Sequence, residues 1–218
     1  MTTNDRNRLL FVTLFAVAFA FVEASVVVYL RALYYPGGFT FPLKAMPPPH
    51  LVVELAREVA TIVMLVLVGL LSGTSRWTRF SYFVIAFGVW DLFYYIWLKL
   101  LLNWPASFFD WDILFLIPVP WIGPVIAPCL ISVLMIVAGI LIIKRENNSP
   151  FHPPVAAWIV GGLGTLVLFF SFMLDIDATI RFQLPQPYRY ELLIVGLILC
   201  TGALIYSLKK NISAKTSD

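Results

Sequence analysis

Residues 80–102 read FSYFVIAFGVWDLFYYIWLKLLL, and the rest of the chain is interpreted around this run. At about 1.5 Å of rise per residue the run is long enough to cross a bilayer as a helix. The helical period of about 100° per residue places Asp91, Tyr94 and Tyr95 on one face, with Lys99 at its border. Because a carboxylate inside a membrane is costly, this polar stripe indicates a site within the protein.

The composition is that of an integral membrane protein. Of the 218 residues, 61% are hydrophobic and 12% are charged, and the mean hydropathy is +0.90. A soluble domain has about 25% charged residues. The net charge of +3 comes from basic residues in short loops and tails, where membrane orientation accounts for them, so no nucleic-acid binding is expected.

The apolar runs predict an all-α, polytopic helix bundle in the lipid bilayer, built as a single domain over residues 1–210. Its six transmembrane spans are expected at residues 9–30, 51–71, 80–102, 121–143, 155–174 and 190–208. Residues 103–128 are rich in Pro and Trp and are expected to form a partly re-entrant or surface-lying segment before the fourth span. Residues 211–218 are expected to be a disordered cytoplasmic tail.

The basic residues predict the orientation of this bundle. Nine Lys and Arg residues fall on the side of both termini, five fall on the opposite side, and Arg57 lies within a span. The positive-inside rule then places both termini in the cytoplasm of a cell whose inner membrane holds the protein.

The second span carries Glu54, Arg57, Glu58 and Thr61 at i, i+3, i+4 and i+7, so these four side chains share one helical face. Glu23 of the first span and the acids of the second and third spans all fall in the outer half of the bilayer. The predicted ligand-binding residues are therefore Glu23, Glu54, Arg57, Glu58, Asp91, Tyr94, Tyr95 and Lys99. The predicted rim residues are Arg31, Asp110, Asp112, Asp175, Asp177 and Arg181.

The charges of this cluster do not balance. Four intramembrane carboxylates face Arg57 and, near the outer edge, Lys99, which leaves about two negative charges in excess. An unpaired buried charge costs several kcal/mol. Raised carboxylate pKa values, a bound cation or arginines from the loops would each compensate, and the sequence leaves these three open.

The cofactor and the catalytic residues are unknown at this level. Carboxylates suit hard cations such as Mg, Ca or Mn, and Glu54, Glu58 and Asp91 are the ligands if a metal is bound. Neither haem nor zinc is expected, because the two histidines, His50 and His152, fall on opposite sides of the membrane. The sequence contains no HExxH, GxSxG, P-loop or CxxC motif.

Three functions fit the cluster. The first is a pocket that binds a cation or a small positively charged polar ligand, in transport or substrate capture. The second is a membrane-embedded enzyme acting on a lipid headgroup or a prenyl-type substrate. The third is a non-catalytic subunit of a larger membrane complex, docking through the 104–121 segment. A buried salt-bridge network that only fixes helix register is the structural alternative to a ligand site.

Ala16, Ala20 and Ala24 recur every fourth residue on the first span. Six spans, cytoplasmic termini and this stripe resemble the substrate-capture subunits of energy-coupling-factor vitamin transporters. In that family the alanine stripe docks the membrane partner, so the resemblance implies that these three positions contact another membrane subunit. It covers topology and three alanines only, and the number of buried acids here departs from it.

Overall fold

The computed structural model describes residues 3–213, with side chains through residue 209. This part of the chain forms six long helices, one short helix and one two-stranded sheet. The helices are α1 (Thr3–Tyr34), α2 (Pro48–Ser72), α3 (Arg76–Leu102), α4 (Ile126–Asn148), α5 (Val155–Met173), α6 (Ile176–Ile180) and α7 (Tyr190–Ser213). Helix α7 extends to Ser213, three residues into the predicted tail, and residues 214–218 lie outside the described part.

The chain is a multi-pass membrane protein with a polytopic helical bundle. Five helical segments among the described residues are long and apolar enough to cross a membrane: α1, α3, α4, the α5–α6 segment Val155–Ile180, and Tyr190–Lys209 of α7. Five of the six predicted spans are thereby confirmed as candidate spans. The remaining helix, α2, is 25 residues long and carries three charged residues in its first half, Glu54, Arg57 and Glu58.

Helix α3 lies at the centre of the bundle and packs against α1, α2 and α4. It begins at a capping box in which Thr78 N–H donates to Ser75 Oγ at 3.2 Å and Ser75 N–H donates to Thr78 Oγ1 at 2.9 Å. It ends at Asn103, whose φ of 53° is the left-handed conformation that terminates many helices. The polar stripe of α3 is therefore held on a helix fixed at both ends.

The alanine stripe of α1 lies inside this bundle. Ala16, Ala20 and Ala24 are each 0% exposed, and Ala16 and Ala20 belong to the apolar core that α1 shares with α3. Small side chains here let the two helices approach closely. The surface of the stripe is thus covered by the chain's own helices, and docking of another subunit through it stays a prediction.

Helices α5 and α7 form a second packed unit beside α4. A Cβ atom added at Gly164 would lie 2.8 Å from Cys200 Sγ, so the two helices meet at van der Waals distance. The buried residues at this junction are Ala127, Leu168, Phe172, Tyr188 and Leu193. Trp111 and Trp121 pack against the same cluster and connect it to the segment that precedes α4.

The Pro/Trp-rich segment contains an antiparallel β hairpin, which corrects the expectation of an all-α chain. Strand β1 (Trp111–Phe115) pairs with β2 (Trp121–Pro124), and Asp112 lies opposite Gly123. A Cβ at position 123 would lie 2.9 Å from the Phe172 ring, so a residue larger than glycine would clash there. Prolines deprive this segment of helical hydrogen bonds, and strand pairing satisfies the backbone instead, so α4 begins at residue 126 and not at 121.

Candidate functional site

A cavity of about 400 Å³ lies between α1, α2 and α3 and is covered by the 34–46 loop, the β hairpin and α6. Seven of the eight predicted ligand-binding residues line it, from three different helices: Glu23, Glu54, Arg57, Glu58, Asp91, Tyr94 and Tyr95. The side chains that helical periodicity places on one face of each span therefore line a single cavity in the structure.

Arg57 is the centre of the first group of charges. Its guanidinium donates to the Glu23 carboxylate and, through Nη2 at 2.8 Å, to Glu54 Oε2. Thr61 Oγ1 donates to the second oxygen of Glu23 at 3.3 Å. Glu23 and Glu54 are 6% and 5% exposed. Two buried carboxylates thus share one arginine, and the spacing of α2 brings Glu54, Arg57 and Thr61 to the same face.

Glu58, one helical turn along α2, is held by the backbone of the hairpin. The N–H of Leu116 donates to both carboxylate oxygens of Glu58 at 2.9 Å. Glu58 is 6% exposed and forms no ion pair with any side chain of the described chain. No sequence pattern predicts this contact, because a backbone N–H is present at every residue other than proline.

Asp91 lies on the α3 wall of the cavity. Ser132 of α4 donates to Asp91 Oδ2 at 2.7 Å, and no described basic side chain pairs with this carboxylate. The predicted fourth span, residues 121–143, contains no ionisable residue, so the sequence does not point to Ser132. A single serine in an apolar helix carries too little signal to be assigned to a site.

Arg31 and Asp112 were predicted as rim residues, and both line the cavity. Arg31 Nη2 donates to Asp112 Oδ1 at 3.1 Å, and the two residues are 8% and 2% exposed. Burial raises the pKa of Asp112 to about 6, and the neighbouring Arg31 guanidinium acts against this rise. The cost of removing the carboxylate from water is therefore larger than the gain from pairing it.

Aromatic rings form much of the remaining wall. Trp90 and Tyr94 are stacked with their ring centroids 6.4 Å apart, and Tyr95 meets Tyr94 edge to face at 5.0 Å. The loop after α1 adds Tyr34, Tyr35 and Phe39 to the cavity lining. Aromatic faces attract cations, and Trp and Tyr do so most strongly.

Five predicted site residues do not line this cavity. Lys99 donates to the carbonyls of Asn103 at 3.3 Å and Pro105 at 2.9 Å, so it caps the end of α3. Asp110 accepts from the N–H of Ala106 at 2.7 Å within its own loop. Asp175 lines a separate cavity of about 180 Å³ beside Tyr188 and Arg189. Asp177 and Arg181 are exposed.

The acids do not form a metal cluster. Among residues 3–209, no group of three or more His, Cys, Asp and Glu side chains is arranged to hold a metal ion. Glu54, Glu58 and Asp91, the predicted ligands, are instead engaged separately by Arg57, the Leu116 N–H and Ser132. His50 lies outside the cavity lining and bonds to Tyr34.

The charged side chains around the cavity are five acids and three bases. The acids are Glu23, Glu54, Glu58, Asp91 and Asp112, and the bases are Arg31, Lys44 and Arg57. Two of the bases are engaged by three of the acids. Glu58 and Asp91 are left with hydrogen-bond donors but without a basic partner on the described chain, so the cavity has an acidic wall backed by aromatic rings.

The chain was compared with protein-family models, with curated proteins and with solved structures, and none of them matches it.

Proposed function

We propose that this protein is a six-span inner-membrane protein whose cavity binds a small organic cation from the extracytoplasmic side, in transport or substrate capture. The observation that carries the proposal is that Glu58 and Asp91 line an aromatic cavity and form no direct ion pair with a basic side chain of the described chain. A positively charged ligand supplies the missing partner for both.

The sixth span in this proposal is α2. At 25 residues and about 1.5 Å per residue, α2 is long enough to cross the hydrocarbon core. Its charged side chains Glu54, Arg57 and Glu58 point into the cavity, so its lipid-facing surface remains apolar. With α2 as a span, the chain crosses the membrane an even number of times and both termini share one side.

The orientation follows from the basic residues. The first turn of α3 carries Arg76 and Arg79, and the end of α4 carries Lys144 and Arg145. If these face the cytoplasm, as the positive-inside rule requires, the hairpin, the 34–46 loop and α6 face outward. The cavity then lies in the outer half of the bilayer.

Organic cations fit the site better than metal ions. A divalent metal needs several oxygen ligands within about 2.0–2.6 Å of one point, and the described acids do not converge in this way. An alkylammonium group needs only charge and aromatic faces, which Trp90, Tyr94 and Tyr95 offer. The volume of about 400 Å³ suits a small organic molecule.

The test is ligand-induced thermal stabilisation of the full chain purified in detergent. Choline chloride is added to the wild type, Glu58→Gln and Asp91→Asn, with sodium chloride at equal ionic strength as the reference. We expect choline to raise the Tm of the wild type and to have little effect in either variant. Asp177→Asn is the matched control, because Asp177 is an exposed acid outside the cavity, and it should respond as the wild type does.

Gln and Asn keep the size of the side chains they replace and still accept hydrogen bonds from the Leu116 N–H and the Ser132 hydroxyl. The variants therefore test charge and not packing. Equal choline-induced shifts in the wild type and in both variants would overturn the proposal, as would the absence of any choline-specific shift in the wild type.

A further inference from the structure

We propose that the ligand of this cavity is a zwitterion: its anionic group is bound by Arg31 and Lys44, and its ammonium group faces Glu58 and Asp91. The inference rests on the proposed function and deepens it, because it assigns a second binding subsite with the opposite charge. It is carried by the guanidinium of Arg31, which is fixed in place and has one buried nitrogen without an acceptor on the described chain.

The orientation of Arg31 is set by three contacts. The guanidinium carbon lies 3.7 Å from the Trp104 ring centroid and 4.3 Å from that of Phe39. The Nη2 atom donates to Asp112 at 3.1 Å. The flat face of the guanidinium is thereby held against the two aromatic rings, and its N–H groups donate from the edge of the plane.

The pairing with Asp112 is incomplete. Arg31 Nη1 is buried without a hydrogen-bond partner within the described part of the chain, and only Nη2 of the guanidinium donates to Asp112. The two residues therefore do not form the pair of parallel hydrogen bonds that arginine and carboxylate often make. A buried donor without an acceptor carries a free-energy cost. An oxyanion in the cavity, which Arg31 lines, would accept from Nη1 and remove this cost.

Lys44 adds a second positive group to the same end of the cavity. Its Nζ lies 5.2 Å from the Tyr35 ring centroid, and its backbone N–H donates to the Tyr35 hydroxyl at 2.7 Å. These contacts lie within the loop that follows α1 and join its two ends. Lys44 lines the cavity and forms no ion pair with a described carboxylate, so its charge is available to an anionic group.

The cavity thus has two subsites of opposite sign. Glu58 and Asp91 have no basic partner, whereas Lys44 and the Nη1 atom of Arg31 have no acidic one, on the described chain. A simple cation neutralises only the first set, and a simple anion only the second. A molecule carrying both an ammonium and a phosphate or carboxylate group satisfies both. Free zwitterions and zwitterionic lipid headgroups share this chemistry.

The experiment compares choline, phosphocholine and inorganic phosphate as ligands of the full chain in detergent, at equal ionic strength. We expect phosphocholine to bind at least ten times more tightly than choline, measured from the concentration dependence of the Tm. Arg31→Lys keeps the charge but loses the planar donor, and Lys44→Gln removes the second charge. Each should reduce the affinity for phosphocholine by a larger factor than it changes the affinity for choline, because choline has no anionic group. Arg181→Gln, an exposed arginine outside the cavity, is the control and should leave both affinities unchanged.

Equal affinity for choline and phosphocholine in the wild type would overturn the zwitterion while leaving the cation proposal standing. The absence of a choline response would instead overturn the proposed function itself. If Arg31→Lys does not fold, Lys44→Gln and the charge-neutral pair Arg31→Gln with Asp112→Asn take its place. An unchanged preference for phosphocholine in all variants that fold would overturn the assignment to Arg31 and Lys44.

A second measurement separates the two sources of the zwitterion. Phosphocholine binding is repeated in mixed micelles that contain phosphatidylcholine or phosphatidylglycerol. Competition by phosphatidylcholine alone supports the proposal with a lipid headgroup as ligand, and competition by neither lipid supports it with a free zwitterion. Equal competition by both lipids would contradict it, since phosphatidylglycerol has no ammonium group.

Discussion

Arg31 Nη2 and Asp112 Oδ1 lie 3.1 Å apart although 81 residues separate them in the chain. The contact joins the end of α1 to strand β1 and so fixes the hairpin over the cavity. Its carboxyl has a pKa raised to about 6 by burial. The pair therefore positions the hairpin at a cost to stability, and both of its residues line the cavity.

The pH dependence of stability should reveal this cost. In the folded protein Asp112 keeps its proton up to about pH 6, whereas in the unfolded chain it loses the proton near its ordinary pKa of 3.8. The folded state binds more protons between these values, so the free energy of unfolding decreases as the pH rises through this window. Each pKa unit corresponds to about 1.4 kcal/mol.

The Asp112→Asn variant isolates this effect, because asparagine does not titrate. The measurement is the unfolding free energy of the wild type minus that of the variant, in detergent from about pH 4 to about pH 8. This difference should decrease up to about pH 6 and then level off. A difference that shifts in favour of the wild type as the pH rises would contradict the prediction.

Replacing Arg57 by Met should strongly destabilise the protein. The variant leaves Glu23 and Glu54 buried without their cation, and breaking a buried ion pair in this way costs about 3–5 kcal/mol. Thermal unfolding in detergent measures the loss. Arg6→Met, at an exposed position of α1, should change stability by less than about 0.5 kcal/mol. Adding Glu23→Gln and Glu54→Gln to Arg57→Met should recover part of the loss, and a triple variant no more stable than Arg57→Met would contradict this account.

Gly88→Ala should destabilise the contact between α3 and α4. A Cβ at Gly88 would lie 2.7 Å from the carbonyl oxygen of Ser132, so α4 must move, and overpacking of this kind costs about 1–3 kcal/mol. The same movement would lengthen the hydrogen bond from Ser132 to Asp91. Gly162→Ala in α5 is the matched control, because no atom lies within 4 Å of the added Cβ. Equal unfolding temperatures for the two variants would show that α3 and α4 do not meet at Gly88.

Ala20→Leu should prevent normal packing even when the chain is purified without any other protein. Ala20 is 0% exposed against α3, and inserting three carbon atoms there exceeds the space available. We expect a lower Tm and aggregation on size-exclusion chromatography. Val22→Leu, at a position 55% exposed on the same helix, should behave as the wild type. Normal behaviour of Ala20→Leu in isolation would support the alternative that this face contacts another subunit.

The helices follow from local properties of the sequence. Apolar runs of sufficient length predict the spans, and the i, i+3, i+4 spacing of Glu54, Arg57 and Glu58 places these groups on one face of α2 regardless of what α2 packs against. The hairpin could not be predicted in this way. Its pairing brings Asp112 opposite Gly123 across a segment full of prolines, and strand pairing depends on contacts between residues distant in sequence.

In the site, too, some features can be predicted from local sequence and others depend on contacts between distant residues. Charges inside spans are rare enough to be recognised, so Asp91 and Glu23 were assigned from the sequence. Their donors were not, because Ser132 and the Leu116 N–H are chemically common groups that become specific only through tertiary contact. Lys99 shows the opposite situation. Its position on the helix suggested the cavity, but its long side chain reaches the free carbonyls at the end of α3.

Some buried charged residues of this chain are synthesised long before the groups that contact them. Glu58 leaves the ribosome 58 residues before Leu116, and Arg31 leaves it 81 residues before Asp112. The first two helices therefore meet the insertion machinery before the groups that will satisfy them have been translated. Membrane entry of the amino-terminal half and completion of its polar interior are separate events in time.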